Sequence, residues 1–203
     1  MAAKQLFERY RVEFSKIFLL ILGVGLLFVG SEWEKTPLFG ALLFFAAIIL
    51  VGIGSFGRLW CAIYISGYKD HTLVMTGPYA LCRNPLYFFS MIGAVGVALA
   101  TKTVSIPLAT LFLFAVYYPL VIKSEEMRLA QIHKETFAAY CKTTPAFFPK
   151  RSVFKEPDDY LVKPVIFRKN LMDAIWFIWL VGILELISAL HEANIVPVLF
   201  SIY

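Results

Sequence analysis

Five apolar runs alternate with polar connections along the chain, at residues 14–30, 38–56, 86–100, 106–122 and 171–190. A helix that crosses the hydrocarbon core of a bilayer uses roughly 20 residues, so the pattern predicts about five transmembrane helices. Lys4, Arg9, Arg11 and Lys16 precede or open the first run. No small-residue cleavage site follows it, and it reads as an anchor helix and not a removed signal peptide. The second run ends at Arg58 but stays weakly apolar to about residue 65, which predicts a helix protruding beyond the bilayer. A tight turn over 101–105 makes the third and fourth runs an antiparallel hairpin.

From 123 to 140 the pattern changes. Met127, Leu129, Ala130, Ile132, Phe137 and Tyr140 alternate with Glu, Lys and Gln at helical spacing. That spacing predicts an amphipathic helix outside the hydrocarbon. A basic, Pro-punctuated segment continues to 169, and the tail at 195–203 is too short to span, so it is expected at the interface. The expected fold is an all-α, polytopic membrane domain over 1–203. Its parts are an N-terminal helical hairpin (1–57), a core (58–149), and a basic linker with a C-terminal transmembrane helix (150–203). No P-loop is present, and no GxGxxG follows a strand. A nucleotide-like cofactor would have to be held by helices and loops.

Composition agrees with the pattern. Of 203 residues, 60% are hydrophobic and 16% charged, whereas soluble domains carry about a quarter charged residues. The net charge of +5 raises the question of nucleic acid, but the position of the cations answers it. Every Lys and Arg except Lys35 and Lys102 lies in the N-terminal segment, the 57–84 connection or the 123–169 segment. That distribution is the positive-inside asymmetry of a membrane protein, so no nucleic-acid partner is expected. The N-terminus and the polar connections are expected on the cytoplasmic side, of a bacterial inner membrane. Cys61, Cys82 and Cys141 are isolated and read as buried thiols; His71, His133 and His191 lie far apart, and no metal site is expected.

Two polar segments carry the candidate chemistry. In the first, Thr76-Gly77-Pro78-Tyr79-Ala80-Leu81-Cys82-Arg83-Asn84-Pro85-Leu86-Tyr87, Asn84-Pro85 opens a helix with Asn84 placed to cap it. Arg83 beside exposed helix N–H groups suits a carboxylate. The second holds Glu125 and Glu126, then Phe137, Tyr140 and Pro145-Ala146-Phe147-Phe148-Pro149. Its acids suit either the positive end of a helix dipole or a bound ammonium. Taken together, the segments match a methionine-like zwitterion. Arg83 would face its carboxylate and Glu125 or Glu126 its ammonium. Tyr79, Tyr87, Tyr140, Phe147 and Phe148 would supply faces for an adenine ring and a sulfonium. Arg58, Arg128 and Lys69 are possible anchors for an anionic substrate head.

The pairing of G-P-Y-x-x-x-R-N-P-x-Y with E-E-x-x-L…F-x-x-Y…P-x-F-F-P resembles the isoprenylcysteine carboxyl methyltransferase family and its phospholipid methyltransferase relatives, over roughly residues 58–149. The resemblance implies a membrane methyltransferase that uses S-adenosylmethionine on a lipid or apolar-tailed acceptor. It implies cofactor contacts from Tyr79, Arg83, Asn84, Pro85, Tyr87, Glu125, Glu126, Tyr140 and Phe147, with Arg83, Asn84 and Tyr87 nearest the reaction. Asn84 stands where the carboxyl methyltransferases usually have His, and it cannot titrate. Two other readings of the architecture are an NADPH-dependent membrane reductase of the steroid-reductase type and a non-enzymatic membrane scaffold.

Overall fold

A computed structural model of the chain describes residue 25 and residues 27–68, 71–151 and 154–203. The expected first span falls almost wholly outside the described residues. Its last part differs from expectation, because residues 27–28 form a turn and Val29–Ser31 is a strand, β1. A 3-10 turn, Glu32–Lys35, then leads into α1, Pro37–Ile65. After it come a single helical turn α2 (Pro78–Leu81), α3 (Pro85–Leu99), α4 (Ser105–Thr143), α5 (Pro164–Glu192) and a strand β2 (Phe200–Ile202). Proline opens α1, α2, α3 and α5, at the one helical position where its missing N–H costs nothing.

The chain is an all-α membrane protein in architecture. Among the described residues, α1, α4 and α5 are long and apolar enough to cross a membrane, and the 15-residue α3 is apolar but shorter. The expected protrusion of the second run is met by a single helix that continues to Ile65. The fourth run and the amphipathic segment also form one helix, α4, with Pro119 inside it and a break in helical geometry at Lys134 (φ 42°, ψ −112°). The amphipathic stripe divides at that break. Phe137 and Tyr140 are buried, while Met127 and Ile132 stay exposed.

Small residues set the helix packing. A Cβ on Gly54 would lie 2.5 Å from Gly93 Cα, one on Gly96 2.7 Å from Val51 N, and one on Gly57 2.1 Å from the Phe89 ring. The backbones of α1 and α3 therefore meet almost directly, which maximises dispersion and suits a bilayer, where no hydrophobic gradient drives helices together. α5 closes this pair. Phe177 packs over Gly93, and Val181 joins Ala47, Val51 and Ala100 in a buried cluster. α4 leans on α3 and presents Leu108, Phe112, Leu113, Val116 and Leu120 outward, an apolar face that hydrocarbon would cover.

Opposite ends of the bundle differ in chemistry. At one end β1 and β2 pair in parallel, with Val29 opposite Phe200 and Ser31 opposite Ile202. The tail expected simply to lie at an interface is thus tied down by this ladder and by Ser105 N–H donating to the Tyr203 carbonyl at 2.8 Å. Lys102 belongs to the same end, where its ammonium meets Ser188 Oγ at 2.9 Å and Glu185 at 3.5 Å. At the other end the polar connections cross-link one another. Gly77 N–H donates to the Lys155 carbonyl, Lys150 N–H to the Leu81 carbonyl, and the Tyr64 hydroxyl to Glu156, all at 2.8–2.9 Å.

The α1–α3 seam predicts a contrast between two neighbouring glycines. Gly54→Ala should cost about 1–3 kcal/mol, because two backbones must part. Gly52→Ala, with nothing within 4 Å of its would-be Cβ, should be neutral or mildly stabilising. Reversible unfolding in mixed micelles measures both.

Candidate functional site

The site begins with a turn only glycine can make. Gly77 has φ +60°, and a Cβ there would come 2.3 Å from the Tyr64 ring. This turn delivers α2 and its Tyr79. Cys82 then extends the chain (φ −155°), and Arg83 N–H donates to the Pro145 carbonyl at 2.8 Å. The two sequence motifs are therefore joined backbone to backbone before any side chain is considered.

Arg83 and Glu126 form the centre of the site. Arg83 Nε and Nη2 donate to the two carboxylate oxygens of Glu126 at 2.8 and 3.2 Å. Arg83 Nη1 donates to the carbonyls of Thr144 (2.7 Å) and Cys141 (3.3 Å). Burial opposes the charged guanidinium, but pairing with Glu126 outweighs it and raises the Arg83 pKa further. The guanidinium is thus engaged on every nitrogen, by a protein carboxylate where a ligand carboxylate was expected. Asn84 also differs from expectation. It occupies the cap position of α3, yet its side chain makes no capping bond. Its amide nitrogen donates instead to Glu126 (3.1 Å) and to the Ala146 carbonyl (3.0 Å).

Consecutive residues on a helix point about 100° apart, so the two acids of α4 serve different neighbours. Glu125 accepts from the Tyr87 hydroxyl at 2.8 Å and from Arg128 at 3.5 Å. Glu125 and Tyr87, with Tyr79, Arg83, Asn84, Arg128, Leu129 and Tyr140, line a cavity of about 140 Å³, completed by Ile65, Leu86 and residues 72–74. Tyr140 donates to the Tyr79 carbonyl at 2.5 Å. The Tyr79 hydroxyl is buried and has no hydrogen-bond partner among the described residues. Burial, followed by the nearby Cys61, Tyr140 and Glu125, pushes that phenol well above its ordinary pKa, so it stays protonated.

Glu126 lines a second, larger space. An apolar groove of about 1000 Å³ runs beside α3 and α4, lined by Met91, Leu111, Phe114, Tyr118, Met127, Phe147 and Phe148, with Lys123 and Glu126 as its charged residues. Phe147 and Phe148 therefore lie in this groove and not against the cavity. Pro85 is buried at the start of α3 and lines neither space. Of the expected cofactor residues, Tyr79, Arg83, Asn84, Tyr87, Glu125 and Tyr140 share one cavity. Sequence reasoning missed residues 72–74 and the backbone carbonyls of 141, 144 and 146, which no side-chain motif can signal.

A helical membrane core on which these two motifs converge is the architecture the resemblance to membrane methyltransferase families implied. The sequence profile of the phospholipid methyltransferases matches residues 36–136, from the start of α1 into α4. The chain belongs to that family. Among curated relatives, the cobalt-zinc-cadmium resistance protein CzcN of Cupriavidus metallidurans is 36% identical over 92% of this chain and 86% of its own. The nickel-cobalt-cadmium resistance protein NccN of Alcaligenes xylosoxydans xylosoxydans is 35% identical over 93% of this chain and 88% of its own. No solved structure matches significantly.

Two predictions test this geometry. Glu126→Gln leaves a half-buried guanidinium without its counter-charge and should cost roughly 1.5–3 kcal/mol, read as earlier unfolding in detergent. Burial pushes the Cys82 thiol above its ordinary range, up to about 11, against smaller lowering effects from the Asn84 backbone and Arg83. The folded state therefore holds its proton longer than the unfolded chain, and this contribution to stability is lost as pH rises from about 9 through 11. Alkylation of Cys82 by iodoacetamide at pH 8 should be roughly a hundredfold slower than in the denatured chain.

Proposed function

We propose that the chain transfers a methyl group from S-adenosylmethionine to an amphiphilic acceptor, with the amino-acid end of the cofactor in the cavity between α2, α3 and α4. The observation that carries this reading is the wall of that cavity, where a carboxylate, two arginines and three tyrosines stand together, the buried Tyr79 hydroxyl having no partner among the described residues. When bound, the cofactor supplies a sulfonium methyl that leaves by in-line displacement, a reaction limited by alignment.

The chain's own residues divide the labour. Glu125, oriented by the Tyr87 hydroxyl, is the acceptor for an ammonium. Arg128, only 3.5 Å from Glu125, is the donor best placed for the neighbouring carboxylate, because Arg83 is committed to Glu126 and holds the start of α3 against α4. The faces of Tyr79, Tyr87 and Tyr140 favour a cation, and Ile65, Leu86 and Leu129 exclude water. Asn84, spent on Glu126 and Ala146, positions the motif and moves no proton. An acceptor that is already ionised, such as a carboxylate, needs no base. A pocket for a whole cofactor is usually at least about 300 Å³, so residues 72–74 must open to admit the adenosine end. The apolar groove beyond Glu126 suits the acceptor's tail.

The same reading places the polar end of the bundle on the cytoplasmic face of a bacterial inner membrane, where the cations cluster and the cofactor is made. The two relatives are named for resistance to cobalt, cadmium, zinc or nickel; in this chain a link to metal tolerance would run through the modified acceptor.

Calorimetry on the full chain in detergent tests the assignment. S-adenosylmethionine should bind, and Glu125→Gln and Tyr87→Phe should each weaken it at least tenfold. Unchanged binding in both variants overturns the site, and binding of NADPH in its place would favour the reductase reading. Incubation with methyl-labelled cofactor and total membrane lipid then identifies the acceptor.

A further inference from the structure

A second cavity, of about 240 Å³, lies between α1, α3 and α5, and its lining includes Arg58, Ser66, Asn170 and Asp173. We infer that it binds the anionic head of a membrane amphiphile, a phosphate ester or carboxylate, through Arg58.

Arg58 is a charge set inside an apolar helix. At 1.5 Å per residue, the roughly 20 residues that follow Pro37 cross about 30 Å, which puts Arg58 near the depth where hydrocarbon gives way to headgroups. At that depth water and headgroups can balance a cation, but a guanidinium nitrogen buried in protein needs a partner of its own. Here its contacts are neutral: Nη1 donates to Ser90 Oγ, and the guanidinium lies 5.6 Å from the centre of the Phe177 ring. Nε is buried with no partner among the described residues, and Arg58 makes no ion pair among them. By contrast Arg83, at the same end of the bundle, has its own carboxylate. Among the described residues no carboxylate pairs with Arg58, and a bound anion in the cavity would supply the counter-charge.

The walls indicate what kind of anion. Ala62, Ile65, Leu86 and Ile166 are apolar, and Ile166 is exposed on the outer side of α5, so a tail can leave sideways into lipid while the head stays with Arg58. Asn170, whose amide donates to Ser66 Oγ at 2.8 Å, adds polar lining. Asp173 stands exposed and disfavours a second negative charge, which selects a singly charged head. Ile65 and Leu86 also wall the cavity of the candidate site, so the bound head lies one side-chain layer away. Binding at Arg58 does not depend on the methyltransferase reading.

Titration of the full chain in neutral detergent with short-chain phosphatidylglycerol, the matching phosphatidylcholine and inorganic phosphate tests this inference. Phosphatidylglycerol should bind saturably and at least tenfold more tightly than phosphatidylcholine. Arg58→Gln should weaken it tenfold or more. Ile166→Trp, a change at an exposed position that fills the cavity without removing the charge, should do the same with unaltered unfolding. Asp173→Asn should tighten binding severalfold. Equal affinity in wild type and either Arg58→Gln or Ile166→Trp overturns the site. Equal affinity for the two lipids overturns the role of charge, and inorganic phosphate matching the lipid overturns the amphiphile in favour of a free anion.

Discussion

A guanidinium held by one carboxylate and two backbone carbonyls organises the polar end of this protein. Arg83 precedes α3, Glu126 follows the apolar half of α4, and Cys141 and Thr144 belong to the far end of α4. Taking two charges out of water is costly, and only close, multiple hydrogen bonds recover that cost. Here both carboxylate oxygens and all three guanidinium nitrogens are used, and Asn84 adds a further donor to the same carboxylate. The start of α3 and two stretches of α4 are thereby fixed at one point. The consequence for chemistry is a partition. With Glu126 drawn to Arg83, Glu125 is left to Tyr87 and Arg128 on the cavity side, while the apolar groove lies on the other.

The same end shows how a membrane protein can build a site without a soluble domain. Tyr79 comes from a one-turn helix set by Gly77, Arg83 and Asn84 from an extended link, and the acids from a helix emerging from the apolar layer. The first two are held by backbone bonds to different connections, Gly77 to Lys155 and Arg83 to Pro145. Loops that would be mobile singly are braced by one another.

Much of the fold could be read from residues alone, for reasons that are local. Apolar runs of the right length with proline at their first turn are helices in a bilayer, and the cation asymmetry separates the two ends of the bundle. Long-range pairing was not readable. Val29–Ser31 meets Phe200–Ile202 through three residues on each side, too few to leave a periodic trace. Asn84 had the residue type and position of a helix cap, yet donating from Nδ2 to Glu126 and the Ala146 carbonyl fixes its amide in an orientation in which its oxygen caps no helix N–H. Convergence of Arg83 with the acid pair was expected from their fit to the two ends of one zwitterion. What a single pattern could not reveal was that Arg83 would be satisfied by Glu126 itself, because that depends on which way two adjacent acids face on α4.

The seam where Gly54 meets Gly93 has a consequence for how such a scaffold can diversify. With main chain against main chain, no side chain at the contact can be exchanged for another of different size, so α1 and α3 form a frame closed to gradual remodelling. Change must accumulate where side chains intervene, on the lipid-facing surface of α4 and along the walls of the groove. A lineage built on this frame would therefore alter what it accepts long before it altered how its two central helices are joined.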